Sequence, residues 1–202
     1  MESRLFDLVV VSSDDPSLRG LARSAGAVDI KRPQYLADDF APKLPAIHHA
    51  LSKAEELQGL EFDTVVDLDA TSPLRFVEDI VNAVNLLETK GVKSVFTGSE
   101  ARRSPYFNQV MRHEGGRWDI IFPTVNRVFR RQDSPKVFDM NASIYVWERD
   151  ALFQEPKIFY QDSLLYEMPQ ERSMDIDSPL DFELVSFLMQ RRSRMGGGHG
   201  NW

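Results

Sequence analysis

Two aspartates in the stretch SMDIDSPLD have the type and spacing of a metal-binding pair. Asp175 and Asp177 are two positions apart, so in an extended segment both carboxylates point to the same side of the chain. Such a pair suits Mg²⁺, which takes one or two carboxylates and fills its other positions with water and substrate phosphates. The spacing fits a plain helix start equally well, with Ser178 as the N-cap and Asp181 completing a capping box. Both interpretations stay open on spacing alone.

A third carboxylate, Asp69, lies where the apolar run TVVDL gives way to polar residues. In open α/β sheets ligands bind beyond the carboxyl ends of the strands, which is the position predicted for Asp69. A carboxylate at the end of a buried strand needs a hydrogen-bond donor, and a ligand hydroxyl or amide is a candidate. The next residues, Ser72 and Pro73, match an N-cap and a first helical position, so a helix is predicted to begin there.

Three arginines in the stretch RVFRRQ form a local basic group, namely Arg127, Arg130 and Arg131. Such a group could hold a phosphate or a carboxylate through forked hydrogen bonds. A solvated charged face explains the same run and is the simpler interpretation. Further along, the alternation of NASIYVW predicts a strand with Tyr145 and Trp147 on one face, where core packing is the simplest role.

The composition limits the functions open to this chain of 202 residues. It has no cysteine, which excludes disulfides, thiolate nucleophiles and cysteine-zinc sites, and its four histidines lack metal-ligand spacing. The net charge of −7 argues against a general nucleic-acid binder, whose phosphate contacts need a basic face. There is neither a signal-peptide pattern nor an apolar run that could cross a bilayer, so a cytoplasmic location is predicted.

The elements that must position these residues alternate between strand and helix through residue 99. Apolar β-branched runs predict strands, and periodic segments such as SLRGLARSAGA and FVEDIVNAVNLLETKG predict helices. This alternation predicts an α/β fold with a mostly parallel sheet. From about residue 100 to 147, short strand-like pieces predict an antiparallel insertion, and PLDFELVSFLMQRR predicts a last helix. We expect one domain over residues 1–192 and a disordered tail over 193–202.

Four stretches together carry a family resemblance: LDATSPLR, RRSPYFN, RRQDSPKVFDMNASIYVWERDAL and DIDSPLDFELVSFL. In this order they closely resemble the acylneuraminate cytidylyltransferase family, and most of all its branch that makes CMP-activated legionaminic acid. The likeness runs over about residues 4–192. It implies a Rossmann-like nucleotidyltransferase that couples CTP to a nonulosonic acid with Mg²⁺ and releases pyrophosphate. It also implies a homodimer joined through the antiparallel insertion.

The resemblance assigns roles to individual positions. Asp175 and Asp177 match the metal-binding, catalytic aspartates. The nucleotide side is matched by Arg32, Ala41 and Lys43. The sugar side, which family members often complete across a homodimer, is matched by Asp69, Thr71, Arg131, Asn141, Tyr145 and Phe159.

Three departures from the family pattern modify this expectation. Asp69 stands where neuraminate enzymes usually carry glutamine, and a carboxylate offers only acceptors where an amide also donates. DMNAS replaces the more common PNGA, and both changes point from neuraminate toward legionaminate. The resemblance implies that residue 1 falls just before the family's second strand, so the family's first strand and glycine-rich phosphate loop are not matched within these residues. The alternatives are therefore a related cytidylyltransferase for another keto acid, or a catalytically impaired homodimeric sugar-binding module.

Overall fold

The computed structural model describes residues 4–38, 40–123 and 130–194, and only the backbone of Arg131. The strands are β1 (Val10–Ser13), β2 (Val28–Lys31), β3 (Thr64–Leu68), β4 (Ser94–Glu100), β5 (Val110–Arg112), β6 (Trp118–Ile120), β7 (Phe138–Glu148) and β8 (Leu164–Glu167). The helices are α1 (Pro16–Ser24), α2 (Lys43–Gln58), α3 (Val77–Lys90), α4 (Arg149–Gln154) and α5 (Pro179–Arg194). In these described ranges, none of the helices has the length and apolar character needed to cross a membrane.

The larger sheet has four strands in the order β3-β7-β4-β8. β7 is antiparallel to both of its neighbours, whereas β4 and β8 are parallel, so three of the four strands share one direction. β1 and β2 pair in parallel as a separate two-stranded sheet. The prediction of an α/β fold with a mostly parallel sheet is confirmed.

The stretch assigned to an antiparallel insertion divides into two parts. β5 and β6 form an antiparallel hairpin outside the larger sheet. β7, however, lies between β3 and β4 in the middle of that sheet, although most of it falls before residue 147. Among the described residues of the insertion, the β5–β6 hairpin therefore stands apart from the central sheet.

β7 separates two hydrophobic clusters because its side chains alternate between the faces of the sheet. Ile144 and Val146 pack with Val95 of β4 and with the apolar face of α3. Tyr145 and Trp147 point the other way and pack with Leu51, Leu152 and their neighbours. The face alternation predicted for NASIYVW is what the structure has.

The start of α3 differs from the prediction. The helix begins at Val77, and residues 70–75 form turns, so Ser72 and Pro73 do not cap or begin it. The Asp79 carboxylate instead accepts the backbone N–H of Phe76 at 2.8 Å and so caps the helix from its first turn. Ser72 is fully buried and donates its hydroxyl to the Asn141 carbonyl at 3.2 Å.

Candidate functional site

Asp69 follows β3 directly, and its carboxylate is held by two neighbours. One oxygen accepts the Thr71 backbone N–H at 3.2 Å and the Thr71 hydroxyl at 3.0 Å. The other oxygen accepts the Lys43 ammonium at 3.1 Å. Burial raises the pKa of Asp69, but the hydrogen bonds from Thr71 and the charge of Lys43 outweigh it and lower the pKa. Asp69 therefore stays ionised and presents acceptor oxygens.

Lys43, the first residue of α2, joins three groups of the site. Its ammonium lies 2.7 Å from an Asp67 carboxylate oxygen and 3.1 Å from Asp69. It also lies 4.8 Å from the centre of the Tyr145 ring. Burial lowers the pKa of Lys43, but the two carboxylates outweigh it and raise that pKa. The residue assigned to the nucleotide side thus contacts two residues assigned to the sugar side.

An aromatic row extends this site along the same face of the sheet. The Tyr145 ring stacks on Trp147 at 5.5 Å between centres, and burial raises the pKa of its hydroxyl. Phe96 is the cross-strand partner of Tyr145, and its ring makes an edge contact with Phe159 at 4.8 Å. Lys43 therefore links Asp69 to Tyr145, and Phe96 lies between Tyr145 and Phe159.

The segment with the two aspartates lies against the Asp69 loop. The Ile176 backbone N–H, between Asp175 and Asp177, donates to the Thr71 carbonyl at 3.0 Å. Burial raises the pKa of Asp175, and the negative charges of Asp177, Asp181 and Asp69 raise it further. The hydrogen bond from Ile176 therefore holds the aspartate segment beside the loop that carries Asp69.

The donor set fits a divalent cation that is only partly coordinated by protein. Within residues 4–38, 40–123 and 130–194, there is no group of three or more His, Cys, Asp or Glu side chains able to hold a metal. Two carboxylates are nevertheless enough for Mg²⁺, which usually keeps several waters and binds substrate phosphates. Burial and the negative charge of Asp177 both raise the Asp175 pKa, and a cation between Asp175 and Asp177 would offset that charge. The capping interpretation of this stretch is confirmed, because Asp181 accepts the Ser178 backbone N–H at 2.8 Å at the start of α5. The metal-binding interpretation stays a prediction.

Asn141, matched to the sugar side, uses its side chain within the protein. Its amide oxygen accepts the Thr97 hydroxyl at 2.6 Å and the Ser143 backbone N–H at 3.2 Å. Its amide nitrogen donates to the Ser173 hydroxyl at 3.0 Å, and the residue is only 4% exposed. The predicted sugar contact stays a prediction, while the structure shows Asn141 linking β7 to the aspartate segment.

Two further residues are predicted to bind the nucleotide. Arg32 directly follows β2, and Ala41 lies in the loop between β2 and α2. Arg32 folds back on β1, where its guanidinium donates to the Ser12 carbonyl at 2.7 Å. The Ala41 backbone N–H donates to the Asp38 carbonyl at 2.9 Å. Both lie beyond the carboxyl ends of a parallel strand pair, a usual position for ligand contacts.

The basic run RVFRRQ is described only in part. Arg127 and the side chain of Arg131 lie outside the described residues, as do the tail residues 195–202. Arg130 forms an exposed ion pair with Asp133 at 2.8 Å. The anion-binding role of this group is therefore still a prediction.

Arg75 is a residue of the site that the sequence patterns did not single out. Its guanidinium donates to the backbone carbonyls of Asp69 and Ser72, each at 2.7 Å, and to that of Ser143 at 3.3 Å. These bonds hold residues 69–75 as a loop and prevent the helix from starting at Pro73. Its position six residues after Asp69 in LDATSPLR is the signal in the sequence, but nothing local reveals its acceptors.

Known proteins resemble this chain over nearly its whole length, although no protein-family model matches it. The flagellin modification protein B of Campylobacter coli is 36% identical over 192 residues, covering 95% of this chain and 80% of that protein. The CMP-N,N'-diacetyllegionaminic acid synthase of Campylobacter jejuni has the same identity and coverage. This chain belongs to the acylneuraminate cytidylyltransferase family. The family's N-acylneuraminate cytidylyltransferase from Escherichia coli is 27% identical over 194 residues, covering 96% of this chain and 45% of that protein.

Solved structures agree with the family's fold. A CMP-2-keto-3-deoxy-manno-octonic acid synthetase in complex with CTP matches with a TM-score of 0.59 and 14% identity. That match covers 94% of this chain and 85% of the other. A 4-diphosphocytidyl-2C-methyl-D-erythritol synthase from Anaerococcus prevotii matches with a TM-score of 0.56 and 12% identity, covering 94% and 84%. At these identities the likeness concerns the fold alone, and that fold is the nucleotidyltransferase fold expected from the sequence.

Proposed function

We propose that this protein transfers CMP from CTP to the anomeric hydroxyl of a nonulosonic acid and releases pyrophosphate. The observation that carries the proposal is the hydrogen bond from Ile176 to the Thr71 carbonyl at 3.0 Å. It brings the aspartates matched to metal binding next to the loop matched to sugar binding. Family membership and the cytidylyltransferase names of the relatives support the same reaction.

Asp175 and Asp177 are the residues that would hold Mg²⁺, which supplies charge neutralisation and orientation of the phosphates when bound. On the sugar side, the Asp69 carboxylate accepts hydrogen bonds from the substrate while Thr71 and Lys43 fix its orientation. The Tyr145 ring, held between Trp147 and the Lys43 ammonium, provides an apolar wall. Arg32, Ala41 and Lys43 bind the nucleotide.

The sugar we propose is of the legionaminic acid type. Asp69 offers only acceptors, so it favours a substrate that presents an N–H or O–H at that point. A relative with 36% identity is named for N,N'-diacetyllegionaminic acid, which supports this choice. Phe159, whose ring contacts Phe96 beside Tyr145, is the residue proposed to contact the sugar farthest from Asp69.

We further propose a homodimer in which the partner completes the sugar pocket near Asn141 and Arg131. The hairpin of β5 and β6 supports this, since Val110 and Trp118 are 55% and 59% exposed. We propose this exposed apolar hairpin as the surface that meets the partner. The cytoplasmic location stays a prediction from the sequence.

The test is pyrophosphate release by the purified chain with CTP, Mg²⁺ and a panel of nonulosonic acids. We expect release with N,N'-diacetyllegionaminic acid in preference to N-acetylneuraminic acid. The matched control is the double variant Asp175→Asn, Asp177→Asn, which keeps the side-chain shapes and removes the charges. A folded protein that releases no pyrophosphate with any acid would overturn the proposal, and a monomer by light scattering would overturn the homodimer.

A further inference from the structure

A forked ion pair lies immediately before the aspartate segment. Two guanidinium nitrogens of Arg172 donate to the two carboxylate oxygens of Asp79, at 2.7 and 2.9 Å. The Asp79 side chain is 0% exposed and that of Arg172 is 20% exposed. Charge-assisted forked bonds of this kind are short, strong and directional.

Both members of the pair are themselves held in place. Asp79 lies in the first turn of α3 and accepts the Phe76 backbone N–H at 2.8 Å. The Tyr166 hydroxyl, from β8, approaches its other oxygen at 3.5 Å. The Arg172 guanidinium lies over the Phe76 ring at 4.6 Å from its centre. The position of Arg172 is therefore set by α3 and β8, which belong to the rigid core.

The chain that follows Arg172 is short and is tied at two more points. The Ser173 hydroxyl accepts the Asn141 amide at 3.0 Å, and Ile176 donates to the Thr71 carbonyl at 3.0 Å. Asp175 is three residues beyond Arg172, and three residues span at most about 10 Å. Because the connecting chain is short and held at both points, a displacement of Arg172 also displaces Asp175 and Ile176.

We propose that the Asp79–Arg172 pair is a positioning pair that holds residues 173–177 in register against the Asp69 loop, so that the carboxylates of Asp175 and Asp177 face the same region as Asp69. The catalytic consequence of this inference rests on the proposed function. The effect of the pair on the register of residues 173–177 does not depend on the proposed function.

The variant that tests the pair is Arg172→Lys, because lysine keeps the positive charge but cannot reproduce the fork. The matched control is Arg149→Lys. Arg149 forms an equally forked pair with Glu55 at 3.0 and 3.1 Å, and its side chain is 17% exposed. That pair joins α4 to α2 at the opposite end of β3, so its loss affects stability without touching the segment.

The first measurement is hydrogen exchange of the Ile176 amide, normalised to the Val146 amide in the core. In Arg172→Lys we expect the Ile176 amide to lose protection by about tenfold relative to Val146, because its acceptor is no longer in register. In Arg149→Lys the ratio stays unchanged. Should Arg172→Lys fail to fold, Asp79→Asn removes the same fork and is measured in its place. Retained Ile176 protection in the Arg172 variant, or equal loss in the control, would overturn the positioning role.

The second measurement is the Mg²⁺ concentration that gives half-maximal pyrophosphate release. We expect Arg172→Lys to raise it by about tenfold, as is usual when a residue that orients metal ligands is lost. Arg149→Lys leaves it unchanged. If the wild type releases no pyrophosphate, the proposed function fails, while the Ile176 exchange ratio still decides whether the pair positions the segment.

Discussion

Replacing Thr97 by valine separates the role of its hydroxyl from the role of its methyl group. Thr97 is 1% exposed on β4 and lies at the register shift between β4 and β7. Its hydroxyl accepts the Ile144 backbone N–H at 3.0 Å and donates to the Asn141 amide oxygen at 2.6 Å. Valine has nearly the same shape but leaves the Ile144 N–H without an acceptor.

The expected cost follows from these contacts. A buried N–H that loses its partner costs about 1–3 kcal/mol, so Thr97→Val should lower the free energy of unfolding by about 2 kcal/mol. For a chain of this size that corresponds to a fall in melting temperature of about 4–8 °C. The control is Thr97→Ser, which keeps the hydroxyl and loses one buried methyl group, worth about 0.8 kcal/mol.

The assay is urea unfolding followed by circular dichroism, with both variants measured beside the wild type. The valine variant should unfold at a lower urea concentration than the serine variant, with no change in the slope of the transition. A valine variant as stable as the serine variant, or more stable, would refute the reasoning. It would mean that the hydrogen bond from the Ile144 backbone N–H to the Thr97 hydroxyl does not stabilise the protein.

Three further outcomes are expected. Gly98→Ala should lower the free energy of unfolding in urea by about 1–3 kcal/mol, because the added Cβ would lie 2.7 Å from the Asp139 carbonyl oxygen. An unchanged urea concentration at the midpoint of unfolding would contradict this. Asp69→Gln should change the preference among nonulosonic acids in steady-state kinetics more than the affinity for CTP, since glutamine adds a donor; equal losses on both substrates would count against it. Chelation by EDTA should abolish pyrophosphate release. The melting temperature should not change, because Asp175 and Asp177 lie outside the hydrophobic clusters. A lower melting temperature would contradict this and indicate a structural metal.

Local patterns predicted the elements whose stability comes from their own residues. The helix predicted for SLRGLARSAGA is α1, which Asp15 caps by accepting the Ser17 backbone N–H at 2.7 Å, with proline at the first helical position. α5 likewise begins with the box of Ser178 and Asp181. The apolar runs of β3 and β4 likewise predict strands from their own residues.

Features set by distant contacts could not be predicted in this way. Ser72 and Pro73 match a helix start, yet hydrogen bonds from Ser72 to Asn141 and from Arg75 to Ser143 hold them in a loop. The place of β7 in the sheet depends on pairing with strands that are far away in the sequence, which leaves no mark on local periodicity.

In the candidate site too, some residues are recognisable from local patterns and others only from distant contacts. Asp69, Asp175 and Asp177 stand out because carboxylates at strand ends and at alternate positions are recognisable locally. Lys43 and Arg172 contact partners that are 26 and 93 residues away, and nothing in their own neighbourhood reveals those partners. Resemblance to the family supplied Lys43, and only the structure supplied Arg172.

The central place of β7 has a consequence for how the protein is made. β3 and β4 leave the ribosome early, but each pairs with β7, whose residues 138–148 are translated much later. Until then the two strands have no common partner, and their open edges are available for contacts with other chains. The middle of the sheet therefore closes only after residues 138–148 have been made, so a nascent chain stalled before residue 138 exposes the facing edges of β3 and β4.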